Sequence, residues 1–235
     1  MPNPSKRRAQ RGNSVLEFAL VMSLLVPLFA GMFTMGMALA KGIQVTNVGR
    51  DAVVLMVRSN TDPNSGLDLS VTQNQRILVR AATGLGMNKN ANYDPDPNGK
   101  GVVILSRVVM VGPAECSVGV VPAPSGVPAT TPWGPSNCPN YGQYAFAYRV
   151  VIGNGTRWTG TIGAPPSGIV NNDGTISAAN IAKNTSNRAT NMGAGGILTL
   201  TASTFAMLSE TYVDVSYLNL FSIYQSPVIF SRTIS

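Results

Sequence analysis

Arg11-Gly12-Asn13-Ser14-Val15-Leu16-Glu17-Phe18 joins a basic tail to a long apolar run with one carboxylate near its start. Lys6, Arg7, Arg8 and Arg11 precede Gly12, and no acidic residue does. From Phe18 through Ala40 the chain runs 23 residues without a charge. At about 1.5 Å rise per residue this is a helix of roughly 34 Å, against a bilayer core of about 30 Å. Glu17 stands where a simple anchor carries no charge. A carboxylate costs about 2.5–3.5 kcal/mol at the bilayer centre and less near its edge, which marks Glu17 as a functional candidate. The plainer reading is a first-turn glutamate that complements the helix dipole and reaches the interface.

The processing signal follows from what surrounds the run. A secretory signal peptide is cut after its apolar region, at small residues in an A-x-A-like arrangement. No such site follows Ala40, where Lys41-Gly42-Ile43-Gln44 continues as helix. A basic leader, a Gly, and a Glu five residues later at the head of an apolar helix resembles a type IV prepilin instead. Arg11-Gly12-Asn13-Ser14-Val15-Leu16-Glu17-Phe18-Ala19-Leu20, followed by Gly31, Gly36, Val45, Thr46, Asn47 and Arg50, narrows the resemblance. It resembles the TadE-like (TadE/TadG) family, minor pilins or pseudopilins of tight adherence (Flp-type) pilus systems. The resemblance covers roughly residues 8 to 58, with a weaker echo over Glu210-Thr211-Tyr212-Val213-Asp214-Val215. Family members often carry Pro near the position of Ser23, whereas this chain has Pro27.

The resemblance implies a cut between Gly12 and Asn13 by a prepilin peptidase, leaving Glu17 as the fifth mature residue. It implies an assembly role for Glu17 and Phe18, in which the glutamate attracts the N-terminal ammonium of a neighbouring subunit. It further implies a single pass through a bacterial inner membrane, with the N-terminus cytoplasmic and the remainder periplasmic or extracellular, and possible incorporation into a pilus. The implied partners are other pilin or pseudopilin subunits and the Tad-type assembly machinery.

Charge agrees with that topology. The formal net charge is +7, but four of the 17 basic residues lie before Gly12 and read as a positive-inside signal. The rest of the chain holds 13 basic against 10 acidic residues. No basic-aromatic cluster follows, so nucleic acid is not an expected partner. Cys116 and Cys138 are the only cysteines and flank a segment with Pro122, Pro124, Pro128, Pro132 and Pro135. In an oxidising compartment one disulfide is expected, contributing about 3 kcal/mol in the chain-entropy picture. Two thiols without a histidine in the chain make a poor metal site. No cofactor and no metal are expected.

The organisation expected is a leader over 1–12, one helix over 13–58 with its membrane segment at about 15–40, and an exported domain over 59–235. Ala30, Thr34, Ala38 and Gly42 recur every four residues, a small-residue stripe of the kind that lets membrane helices pack closely. Ordinary abundance of small residues in membrane helices explains the stripe nearly as well. Pro27 removes a hydrogen-bond donor and is expected to kink or loosen the helix. Val45, Val48, Ala52 and Leu55 then form an apolar stripe facing the exported domain, with Gln44, Asn47, Arg50 and Arg58 mostly away from it.

Ser59 to Gly66 is turn-rich. A second helix is expected from a Ser70–Gln73 capping box, with Ile77, Leu78, Ala81, Ala82 and Leu85 as its apolar face and Gly84 and Gly86 ending it. Strands are expected over Gly101–Val111 and Tyr144–Ile152. Gly153-Asn154-Gly155 reads as a hairpin turn into Thr156–Thr161. Loops are expected at about 112–140 and 163–196, the latter exposed, with a helical turn near Ala178–Lys183. Strands are also expected over Phe205–Phe221, with Val213, Val215 and Tyr217 on one side, and at an edge over Pro227–Ile234. The fold class is α+β, a long N-terminal helix laid on an antiparallel sheet.

No constellation supports an enzyme, since the commonest general base is absent and Glu115, Glu210 and Asp214 are scattered. Asp94-Pro95-Asp96-Pro97-Asn98-Gly99 has the opening spacing of a calcium loop. Leu105 stands where its closing Glu belongs, so a polar turn is the better reading. Three functional classes remain: a minor pilin or pseudopilin, a filament-forming pilin subunit, and a single-pass anchored periplasmic binding domain.

Overall fold

The computed structural model describes residues 4–61, 68–119, 137–216 and 228–235. The first helix, α1, runs from Pro4 to Thr61 and continues unbroken through Pro27. It begins nine residues before the expected start at Asn13. Lys, Arg, Ala and Gln dominate residues 5–11 and are good helix formers, so Gly12 is the main opponent of the helix there. The chain divides into two units, one holding α1 through Lys41, the other holding α1 from Gly42 together with every described strand.

In the second unit four strands form one antiparallel sheet, β1 (Gly101–Met110), β2 (Tyr144–Gly153), β3 (Phe205–Asp214) and β4 (Val228–Ile234), in the order β2-β1-β3-β4. Their β-branched and aromatic content explains the strands. The expected return strand after Gly153 does not form. Asn154 instead turns back on β1, its backbone N–H donating to Gly101 O (3.1 Å) and its side-chain amide to Gly99 O (2.9 Å). β3 ends at Asp214, short of the expected Phe221; Tyr217, Phe221, Pro227 and the five prolines between the cysteines lie outside the described residues. Ala206 through Asp214 are all buried, because β3 lies between two strands with both its faces covered.

One face is covered by α1. Val45, Val48, Ala52, Val53 and Met56 are fully or almost fully buried, each worth about 1.5–3 kcal/mol for a valine-sized side chain or larger. Leu55, expected in this stripe, is only half-buried, while Val53 and Met56 point inward. Gly49 sets the approach distance. A Cβ there would lie 3.4 Å from the hydroxyls of both Thr211 and Thr233, so a larger side chain would lift the helix off β3 and β4.

α2 (Thr72–Ala81) follows without a capping box. Its N-cap is Val71, and Asp68 organises the entry by accepting from Ser70 N–H at 2.8 Å. The apolar face is turned by one residue from expectation. Leu78, Val79, Ala82 and Leu85 are buried, whereas Ile77 and Ala81 are exposed. α3 (Pro113–Gly119) carries Cys116, which is disulfide-bonded to Cys138 with Cα atoms 5.8 Å apart. Both sulfurs sit in a core with Val109, Val111, Ala145 and Ala182.

The segment 163–196 is exposed over much of its length, as expected, but Gly174, Ile176, Ala182 and Asn187 anchor it in the interior. It contains α4 (Ala178–Lys183), capped by Ser177, and a 3₁₀ turn over Thr185–Asn187 capped by Asn184. Asn187 is fully buried and donates its side-chain amide to Phe146 O at 2.8 Å. Ile176 and Ala182 are buried as well. Amide side chains satisfy this segment's backbone, so its lack of apolar periodicity misleads.

The sheet face opposite α1 holds a buried charge cluster. Glu210 on β3 is 1% exposed and accepts from Thr161 N–H at 3.1 Å, from the Thr161 hydroxyl, and from Arg232 of β4 at 3.2 Å. Gly160, at φ 87°, lets the chain pass over this carboxylate, where a Cβ would strike it. Arg149 of β2 lies nearby, donating to Gly163 O (3.0 Å) and Thr159 O (2.5 Å).

Removing one partner of such a pair leaves a buried charge uncompensated, typically at a cost of about 3–5 kcal/mol. Glu210→Ala is therefore expected to lower the unfolding free energy by an amount of that order in denaturant titration of the folded chain. A change below about 1 kcal/mol would show the pair to be incidental. Burial also pushes the phenols of Tyr148 and Tyr212 up to about 12, from an ordinary value near 10. The folded state keeps these protons where the unfolded state gives them up. Their contribution is whole below pH 10 and is lost as pH rises from 10 towards 12. Ultraviolet titration of tyrosinate against far-UV circular dichroism is expected to show late ionisation coinciding with loss of structure.

Candidate functional site

The motif residues lie on one helix. Gly12, Asn13, Glu17 and Phe18 all fall within α1, and Asn13 and Glu17 are four residues apart in sequence. Gly12 has the lowest helix propensity between Ser5 and Leu16, about 1 kcal/mol below Ala, so the Gly12–Asn13 junction is the easiest point to unwind.

Past this junction the helix surface is apolar and bare. Val15, Leu16, Phe18, Leu20, Leu24, Phe29, Met32, Phe33, Met35 and Leu39 are each more than three-fifths exposed. The helix is long and apolar enough to cross a membrane. Ala30, Thr34, Ala38 and Gly42 share one face by their four-residue spacing and are each partly covered. Thr34 hides its hydroxyl by donating to Gly31 O at 2.9 Å, which suits an apolar surrounding. Gly31, Gly36 and Gly42 have open space where a side chain would stand.

The other acids are engaged structurally. Glu115 accepts from Gly112 N–H (2.9 Å) and from the Ser203 hydroxyl (2.8 Å). Asp214 pairs with Arg157 at 2.7 Å. Asp94 has one oxygen on Arg76 and the other on Asn90, both at 2.7 Å. The Asn90 hydrogen bond and then the Arg76 guanidinium hold its carboxyl below the usual carboxylate range. Asp96 closes a turn by accepting from Asn98 N–H at 2.9 Å. The loop over Asp94–Asn98 is thus held by protein donors, and Leu105 lies buried in β1. Among the described residues no group of three or more His, Cys, Asp or Glu converges.

Sequence reasoning missed the joining of Arg149, Glu210 and Arg232. The available signal was Glu210 at the middle of an apolar strand, since a buried carboxylate demands a partner. A cavity of about 460 Å³ lies beside this cluster, lined by Thr161, Asn191, Met192 and Arg232 among others. The charge of Arg232 is already directed to Glu210.

No curated protein and no solved structure matches the chain significantly. Residues 12–53 match the model of the family described as TadE-like protein. The matched stretch starts at Gly12, contains Glu17 and the bare apolar surface, and ends in the part of α1 that packs on the sheet. Over this segment the chain is similar to the TadE-like family, which is associated with Tad pilus systems.

Proposed function

We propose that this chain is a minor pilin or pseudopilin of a Tad (Flp-type) pilus apparatus. In this reading it is cut by a prepilin peptidase between Gly12 and Asn13 and held in the inner membrane with its N-terminus cytoplasmic. It then assembles with other pilin-like subunits through the apolar part of α1. The observation that carries the reading is the Gly12-to-Glu17 interval at the head of a helix with exposed apolar side chains from Val15 to Leu39.

The chemistry follows from the spacing. Cleavage would free an ammonium on Asn13. Four residues of helix set it about 6 Å along the axis from Glu17 of its own chain. A neighbouring subunit displaced by one turn would bring its ammonium level with Glu17. Opposite charges at 4 Å attract by on the order of 4 kcal/mol at an effective dielectric of 20, enough to offset the carboxylate's cost near the apolar layer. Phe18 and the Ala30–Thr34–Ala38–Gly42 face would then meet neighbouring helices. The 175-odd residues beyond α1 make a domain large beside a short filament subunit, which supports a minor role rather than a filament-forming one.

N-terminal sequencing of envelope protein from the native host is expected to read Asn13-Ser14-Val15, and Gly12→Leu to leave the uncut precursor in the membrane. A mature protein beginning at Met1 or Pro2 would falsify processing.

Glu17→Gln separates assembly from anchoring. Removing the charge makes insertion easier. Membrane level is expected to stay normal while pilus yield and adhesion fall, measured in a strain carrying only the variant. Normal pili at normal membrane level would favour the anchored binding domain.

A further inference from the structure

We propose that the outer edge of β4 pairs with β4 of a second copy of this chain, antiparallel about Ser231. This goes beyond the pilus reading and does not depend on it. The sheet ends at β2 on one side and at β4 on the other. The chain closes the β2 edge itself. Arg149 N–H donates to Gly174 O (2.8 Å), Ile176 N–H to Ala147 O (3.1 Å) and Ala189 N–H to Tyr144 O (2.8 Å). No described residue does the same for β4.

The ladder shows which groups face out. Ser235 and Met207 exchange two N–H···O bonds of 2.9 Å, and the two-residue period of an antiparallel ladder turns Thr233, Ser231 and Ile229 inward as well. The N–H and C=O groups of Val228, Phe230, Arg232 and Ile234 therefore point outward. Sheet edges are commonly blunted by Lys, Pro or a bulge. Val228-Ile229-Phe230-Ser231-Arg232-Thr233-Ile234 has no Lys or Pro, and its register with β3 is regular throughout. Its single charge is turned onto Glu210. Phe230 and Ile234 are exposed.

The strand's own pattern is complementary to a second copy of itself. A two-fold axis at Ser231 sets Val228 opposite Ile234 and Phe230 opposite Arg232, using all four outward residues. An axis at Arg232 would oppose two arginines, and one at Phe230 would oppose two phenylalanines and set Val228 against Arg232. The preferred register brings a guanidinium to an aromatic ring, a contact this strand already makes internally, with Arg232 5.2 Å from the Phe230 ring centre.

The test uses the full chain in its native membrane. Across the axis the two Ser231 positions form a non-hydrogen-bonded pair with Cα atoms about 4.5 Å apart, within disulfide reach. Ser231→Cys is expected to give, on mild oxidation, a linked species of twice the chain mass. Ile229→Cys and Thr233→Cys are expected to give none alone but to link when co-expressed, since 229 faces 233 in this register. Ile234→Pro removes an outward N–H while sparing the ladder to β3. It is expected to abolish the Ser231→Cys product while the domain stays protease-resistant. The proposal is overturned by no linked species from protease-resistant Ser231→Cys chain, by linkage to a different protein, by equal linkage from Ile229→Cys alone, or by a product indifferent to Ile234→Pro.

Discussion

Exposed apolar side chains along Val15–Leu39 would gather ordered water over several helical turns, and the area-dependent cost of that exposure is what the rest of the chain is arranged around. A bilayer or a bundle of similar helices removes the cost. Either surrounding must also deal with Glu17, because a carboxylate gains nothing from an apolar layer. The first charged residue after Glu17 is Lys41, after which α1 changes character. From Val45 onward one side is buried, through Val45, Val48, Ala52, Val53 and Met56, while Val54 on another side stays exposed. One helix thus meets two surroundings in succession, and the change falls where the uncharged run ends.

The sheet is built to receive such a helix. Gly49 permits close approach, and Ser209, Thr211 and Thr233 present small hydroxyl-bearing surfaces beneath it. The opposite face uses a different device. Glu210 brings a charge into the interior and is held by Thr161 and Arg232, with Arg149 close by. Apolar packing alone would stabilise a sheet of this size at least as well, since buried ion pairs are poor sources of net stability. What the cluster adds is geometry. It joins β2, β3 and β4 and the passage over Gly160 through bonds with fixed directions.

The parts of the fold legible in the sequence are those with a strong local period or composition. The apolar run, the β-branched stretches of β1, β2 and β4, and the short helix at Ala178–Lys183 belong here. The rest of the segment 163–196 was less legible because Asn187, Asn184 and Ser177 satisfy backbone groups one at a time, leaving no period to detect. The face of α2 was misplaced by one residue because Ile77 and Val79 are equally apolar and only tertiary packing chooses between them. The hairpin after Gly153 failed because Asn154 had better partners on β1 than any return strand offered. Of the candidate site, Gly12 and Glu17 were singled out in the sequence by the resemblance of their spacing to a prepilin start, and their roles belong to the proposal. The Glu210 cluster was not, since its members are scattered over 84 positions from Arg149 to Arg232.

Membrane anchoring also changes what an open sheet edge means. In free solution, pairing four outward residues of one strand with four of another must overcome the full entropy of association, which is large beside a few main-chain hydrogen bonds. Two chains anchored in the same bilayer have already lost much of that freedom, and the pairing is strengthened through effective concentration. An edge too weak to dimerise a soluble domain can therefore join anchored ones reversibly. Anchoring also explains why the two edges differ. The β2 edge is closed by permanent intrachain bonds, while β4 keeps a short, nearly uncharged edge whose only charge is turned inward. An edge that no described residue covers carries an aggregation risk that native sheets usually suppress with Lys or Pro. Confinement to a membrane limits that risk, because the relative orientations available to two anchored chains are few.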